Sequence, residues 1–185
     1  EERINNCGQP YPGVDVEIKN PESGVACPLG QQGEICVRGF SIFQGYYKLP
    51  EENKKAFDAE GWFHTGDLGS LDAKGRIRFH GRLKDMLKVG GENVSPLEIE
   101  AWLSSHPDVV TAQVVGMPDA RLDEVVAAFV EVRKGAQLGE QDIIDFCAGQ
   151  LASYKAPRIV RFVSEWPMSA TKIQKSELRK MLVEA

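Results

Sequence analysis

Apolar and polar residues alternate in short runs through the first half of the chain and gather into longer runs in the second. Val14, Val16 and Ile18 alternate with polar neighbours, Ile35 and Val37 do so before Gly39, and Ile77 and Phe79 follow the turn Asp72-Ala73-Lys74-Gly75. Successive side chains of a strand point to opposite faces, so this period-two pattern, broken by Gly and Pro, predicts a small antiparallel β unit. One short helix is predicted from Glu51 to Phe57, after Pro50.

The second half reads differently. Ser95-Pro96-Leu97-Glu98 carries a helix start: Ser as N-cap, Pro at the first helical position, Glu three residues past the cap. Leu97, Ile99, Trp102 and Leu103 supply its apolar face and Pro107 stops it. Val109 to Val115 and Val125 to Val132 read as buried strands, with a third from Ile159 to Val163. Ile143, Ile144, Cys147 and Leu151 mark another helix face, and Ser176 is placed as the cap of a last helix burying Leu178, Met181 and Leu182. The fold class expected is therefore α+β: a small β-rich, barrel-like unit over residues 1–82, then a compact α+β domain over 83–185 with a three-stranded sheet and flanking helices. The boundary is sought in the stretch from Arg82 to Asp85.

Composition narrows the classes of function. The chain has 185 residues, 42% hydrophobic and 26% charged, which suits one large domain or two small ones with a real core. Asp and Glu outnumber Lys and Arg by 27 to 22, so a basic surface that tracks nucleic-acid phosphates is not expected. The longest apolar run, Val125 to Val130, is far shorter than the roughly 20 residues that span a bilayer. Cys7, Cys27, Cys36 and Cys147 form no CxxC pair, and His64, His80 and His106 show no ligand spacing, so no metal site is expected. Scattered thiols read as reduced and cytoplasmic. Glu1-Glu2-Arg3 shows no signal-peptide pattern, and Val183-Glu184-Ala185 is no peroxisomal or prenylation signal.

Three segments could carry chemistry. Gly61-Trp62-Phe63-His64-Thr65-Gly66-Asp67-Leu68-Gly69 would place a carboxylate beside glycine, and two carboxylate oxygens match the vicinal hydroxyls of a ribose; a turn aspartate bonded to its own backbone is the plainer reading. Gly81-Arg82-Leu83-Lys84-Asp85-Met86-Leu87-Lys88-Val89-Gly90-Gly91-Glu92-Asn93 has the charged, glycine-bearing character of a hinge, or of a solvated hairpin turning at Gly90-Gly91. Pro167-Met168-Ser169-Ala170-Thr171-Lys172-Ile173-Gln174-Lys175 could extend a lysine toward phosphate oxygens, although most such lysines are only solvated. His64 has no Ser or Cys partner at readable spacing and is taken as structural; Cys147 is taken as core.

In this order the segments resemble the C-terminal part of adenylate-forming enzymes, the superfamily of acyl-CoA synthetases, luciferases and peptide-synthetase adenylation domains. The likeness rests on GEICVRGFSIFQGYYKLPEENKKAF (33–57), GWFHTGDLG (61–69), GRLKDMLKVGGENVSPLEIE (81–100), YKAPRIVRFV (154–163) and PMSATKIQK (167–175), and it runs from about Cys7 to Leu182. It implies that residues 1–82 are the last β subdomain of a large domain and that 83–185 are a mobile small domain. It also implies a carboxylic acid, with fatty acids the common case and aryl acids the alternative, that attacks the α-phosphate of ATP to give an acyl-adenylate and pyrophosphate, after which the thiol of coenzyme A takes the acyl group and displaces AMP. Asp67 would hold the ribose hydroxyls, Arg82 would contact the same nucleotide, and Lys84 with Asp85 would form the hinge. Gly90 and Gly91 would line the coenzyme A channel, and Lys172 would stabilise charge during adenylation. Magnesium ligands, the phosphate loop and the acyl pocket would lie upstream of residue 1, leaving these 185 residues inactive alone.

Two departures stand out. The family usually has Gly immediately before the adenylation lysine, where this chain has Thr171, and the loop is one residue shorter, which makes Lys175 the alternative to Lys172. Lys84 at the hinge favours coenzyme A over a carrier protein, since carrier-loading domains more often have Asp there. A carrier-loading adenylation domain and a non-catalytic nucleotide- or partner-binding remnant are the competing readings.

Overall fold

The computed structural model describes residues 6–183, so the readings of the two chain ends lie outside the described residues. The chain divides into two compact units, Glu1–Lys84 and Asp85–Ala185, two residues beyond the 82/83 boundary expected.

The first unit is an antiparallel meander of β1 (Val14–Lys19), β2 (Gly33–Gly39), β3 (Phe63–Leu71) and β4 (Ile77–Arg82), in that spatial order. The strand order ends on β1 and β4, and the segment leading into β1 bonds to β4, where the Cys7 N–H donates to the Ile77 carbonyl at 2.8 Å and the Ile77 N–H to the Gly8 carbonyl at 2.9 Å. Helix α1 (Pro50–Ala56) starts one residue earlier than expected, with Pro50 itself in the first turn. Strand β3 was not legible as a strand, because its sequence FHTGDLGSL has glycines where alternation would be read. Phe79, expected inward on β4, pairs with Gly69 beside a bulge and is 42% exposed: an edge strand facing glycine finds no side chain to cover it.

A charged group lies inside this unit. Lys19 is 4% exposed and donates to Asp58 Oδ2 at 2.8 Å, while its ammonium stands 5.1 Å from the centre of the Trp62 ring. Burial works against the Lys19 charge, but the hydrogen bond to Asp58 and the charges of Asp58, Glu60 and Glu17 outweigh it and raise its pKa above the usual lysine value. Asp58 Oδ1 accepts the N–H groups of Glu60 and Trp62 at 3.0 and 2.9 Å. Partial burial alone would raise Asp58, yet the Lys19 bond and these two amides hold it down at about 2.

The second unit is built on a sheet of order β6-β5-β8-β7, with β9 pairing β8 in parallel. The strands are β5 (Leu87–Val89), β6 (Glu92–Val94), β7 (Val109–Asp119), β8 (Asp123–Val132) and β9 (Ile159–Phe162). Five strands replace the three expected, because β5 and β6 are three residues each, too short to show a period. On β8, Val126, Ala128 and Val130 join one core with Ile99 and Leu103 of α2 (Pro96–Ser104) and Ile143 and Cys147 of α3 (Glu140–Cys147). Ala127 and Phe129, between them, join a second core with Leu178 and Leu182. Burial on both faces explains the continuous apolar run from Val125 to Val130.

The last helix, α4 (Lys175–Val183), starts before Ser176, which is therefore inside it rather than its cap. Met181, expected buried, is 43% exposed, because the i, i+4 pair Leu178 and Leu182 fills the inward stripe. Glu98 does not serve as a capping-box acid for α2: both its oxygens accept from Lys155 Nζ at 2.8 Å. No helix among the described residues is long and apolar enough to cross a membrane.

The Asp58 pKa sets an acid limit for the first unit. Its folded value, about 2, lies below the ordinary 3.8, so its contribution to stability is complete above about 4 and is lost as pH falls through about 2. Urea unfolding followed by circular dichroism from pH 5 to pH 2 should show this loss, and Asp58→Asn should flatten that limb while lowering stability at neutral pH.

Candidate functional site

The nucleotide candidates stand together in the first unit. Thr65, Gly66 and Asp67 form an outward bulge of β3: His64 pairs with Cys36 and Leu68 with Glu34, so three residues oppose the single residue Ile35. Gly66 takes a φ of +71°, a conformation that L side chains rarely adopt. The bulge is tied down by side chains, with Thr65 Oγ1 donating to the Ile35 carbonyl at 2.7 Å and accepting the Asp67 N–H at 3.0 Å. Glu34 Oε1 accepts the Gly66 N–H at 2.9 Å. On the other edge Asp67 keeps its register with Arg82, whose Nε donates to Asp67 Oδ1 at 3.0 Å. Asp67 Oδ2 and the terminal Arg82 nitrogens have no partner among the described residues. One acceptor and a set of donors are thus open on one spot.

Sequence reading missed what lies behind this bulge. His64 Nδ1 is 2.8 Å from Glu34 Oε2 and 3.6 Å from Cys36 Sγ, and its Nε2 is 3.6 Å from Asp58 Oδ2. The histidine therefore does meet a cysteine, through the β2–β3 register, which sequence spacing does not reveal. Cys36 is fully buried, and burial with the nearby Glu34 carboxylate pushes its thiol up to about 12, so it is no thiolate nucleophile at neutral pH. Potential metal-ligand atoms of Glu34, Cys36 and His64 lie within 4.8 Å of one another, but the carboxylate oxygens are engaged by Gly66 and His64.

Lys84 and Asp85 fall in a single 3-10 turn, Leu83–Asp85, at the division between the units. Lys84 is exposed, and Asp85 lies 4.0 Å from the Arg179 guanidinium of α4. Gly90 and Gly91 are the two-residue turn between β5 and β6, with φ of +60° and +86°. A two-residue hairpin turn with positive φ at both positions selects glycine, so the turn alone accounts for the pair.

Lys172 belongs to a small hairpin of β10 (Met168–Ser169) and β11 (Lys172–Ile173). Its turn is Ala170-Thr171, and Ala170 takes a φ of +50°. The left-handed residue is thus Ala170, one place before Thr171, and it lacks the freedom of glycine. Lys172 is exposed without a charged partner among the described residues. Lys175, the alternative, donates at 2.6 Å to Glu100 Oε1, which also accepts the Val114 N–H at 2.8 Å. Glu100 is 9% exposed, so this lysine neutralises an almost buried carboxylate. Of the two lysines, Lys172 is the one available to a ligand.

The family model of the AMP-binding enzyme C-terminal domain matches residues 98–172, and that of the AMP-binding enzyme matches residues 1–47. The chain belongs to the AMP-binding, adenylate-forming enzyme family. It is 37% identical over 180 residues to the mitochondrial medium-chain acyl-CoA ligase of Danio rerio, covering 97% of this chain and 30% of that protein. The structure of ATP-bound MatB from Rhodopseudomonas palustris matches with a TM-score of 0.91 at 39% identity, over 96% of this chain and 35% of that one. The o-succinylbenzoate CoA synthetase of Bacillus subtilis, in complex with its acyl-adenylate intermediate, matches with a TM-score of 0.88 at 31% identity, over 96% and 36% of the two chains. The chain spans about a third of the length of these relatives.

The two lysines should separate in stability. Lys175→Ala leaves the Glu100 carboxylate without its counter-ion and should cost about 1–3 kcal/mol, whereas the exposed Lys172→Ala should stay within about 0.5 kcal/mol of the parent. Urea midpoints of the two variants check this, and equal losses would remove the distinction.

Proposed function

We propose that the chain is the C-terminal part of an AMP-forming acyl-CoA synthetase, in which a carboxylic acid is activated by ATP and passed to coenzyme A. The observation that carries this reading is the Asp67–Arg82 pair on its braced bulge, with an open carboxylate oxygen and open guanidinium donors side by side. Such a pair suits a ribose hydroxyl and an anionic neighbour on one nucleotide. The names of the relatives support the chemistry, since one is a medium-chain acyl-CoA ligase, one is bound to ATP and one is a CoA synthetase holding an acyl-adenylate.

In this reading Asp67 holds the ribose and Arg82 the same nucleotide. Lys172, exposed on its hairpin, brings a positive charge to the carboxylate and α-phosphate as negative charge builds up in adenylation. Lys84 and Asp85 supply the hinge, and Gly90 and Gly91 border the path of the thiol. A Cβ at Gly91 would meet nothing within 4 Å, so that turn has room on its outer side. Fatty acids are the proposed substrate class. Magnesium is proposed to be held by residues outside these 185.

The test uses the full-length parent. ATP–pyrophosphate exchange with medium-chain fatty acids should exceed that with aryl acids, and the reverse order would replace the substrate class. Lys172→Ala should slow adenylation by roughly 100- to 1000-fold, the size of a lost transition-state charge contact, while thioester formation from supplied acyl-adenylate stays near the parent rate. A larger adenylation loss in Lys175→Ala would reassign the lysine.

Lys84→Pro tests the hinge by fixing φ near −65° and removing an N–H. Thioester formation should fall far more than adenylation. Equal loss in both steps would remove the hinge assignment.

A further inference from the structure

Glu34 is 7% exposed, and each of its carboxylate oxygens is occupied inside the first unit. Oε1 takes the Gly66 N–H and Oε2 faces His64 Nδ1. His64 in turn faces Asp58 through Nε2, and Asp58 is held by Lys19. A chain of charged and polar groups therefore runs from Lys19 through Asp58, His64 and Glu34 and ends on one backbone amide in the middle of the bulge.

The bulge has a hydrogen-bond account to settle. Opposite Ile35 the β2–β3 ladder is interrupted, so the amides of Gly66 and Asp67 lose the strand partners they would otherwise have. Two side chains replace them: Thr65 serves the Asp67 N–H, and Glu34 serves the Gly66 N–H. The Thr65 contact is local, between residues two apart, whereas Glu34 reaches across from β2. A buried carboxylate costs much more to place than a hydroxyl, and here its charge is met by a short bond to His64 rather than by solvent.

We propose that Glu34 is the positioning residue for Asp67, fixing the bulge so that the Asp67 carboxylate is presented to the nucleotide beside Arg82. His64 and Asp58 fix the rotamer of Glu34 in turn. This rests on Asp67 being the nucleotide contact. Glu34 touches no ligand itself and acts by limiting where Gly66 can move, which matters because Gly66 at φ +71° has neither a side chain nor a neighbour within 4 Å of a Cβ position to restrain it.

The experiment is a double-mutant cycle in the full-length parent, with AMP alone as the probe and its dissociation constant read by calorimetry. Glu34→Met fills a similar volume without either acceptor, and it should weaken AMP binding about tenfold, equal to about 1.4 kcal/mol, with the KM of the carboxylic acid unchanged. Glu34→Gln keeps an oxygen for the Gly66 amide and should recover most of the affinity. In an Asp67→Ala background, Glu34→Met should have no further effect on AMP, since the group it positions is gone. If Glu34→Met weakens AMP equally in both backgrounds, or leaves AMP binding unchanged, the positioning role is overturned. If Asp67→Ala alone leaves AMP binding unchanged, the nucleotide reading of Asp67 fails instead.

Should Glu34→Met not fold, the comparison moves to Glu34→Gln and Thr65→Val. Thr65→Val removes the local clamp and should weaken AMP binding severalfold. Glu34→Gln, which keeps the acceptor for Gly66, should add little to that loss, and the Thr65→Val loss should vanish without Asp67; an equal Thr65→Val loss without Asp67, or a large Glu34→Gln loss that persists without it, overturns the proposal.

Discussion

Strand β8 is the constraint on which the second unit depends. A strand covered on both faces must send alternate side chains into two separate cores, and its backbone must be paired along both edges. Val126, Ala128 and Val130 meet α2 and α3, and Ala127 and Phe129 meet α4. β7 runs along one edge, while β5 and β9 share the other, β5 at its start and β9 along its second half. Small alanines at 127 and 128 let helices on both sides approach closely. Once α4 is fixed on its face, the lysine hairpin that feeds directly into it is fixed as well.

Each unit also uses one almost buried glutamate to hold a backbone amide. Glu34 fastens the bulge that carries Asp67. Glu100 accepts the Val114 N–H of β7, which lies at the end of the sheet order, and anchors the first residue of α4 through Lys175. In both places a carboxylate satisfies a backbone amide that the sheet leaves unpaired, and a second polar group offsets its charge. Such arrangements are costly to assemble and intolerant of substitution, because removing one member exposes the desolvation cost of the rest.

The strands that follow period two or form a continuous apolar run were readable from sequence, as were α1, α2 and α3 in outline. β3 was not, since Gly66 and Gly69 remove the alternation, and β5 and β6 are too short to carry one. The five motifs put Asp67, Arg82 and Lys172 forward as candidates by likeness alone. Their supports could not be read that way: Glu34 and His64 are 30 residues apart in the chain, and Glu100 and Lys175 are 75 apart. Pairing register and helix docking bring them together. That second contact engages Lys175 with Glu100, while Lys172 stays exposed.

The thiols divide along the same lines. Cys36 and Cys147 are fully buried, and burial pushes the Cys147 thiol up to about 11. Cys7 is exposed and Cys27 half-buried, both in the first unit. A thiol-directed fluorophore at neutral pH would therefore mark the folded protein on its first unit, leaving the second dark until Cys147 is uncovered. Native cysteine chemistry thus gives separate optical reporters for the two units, with no residue replaced.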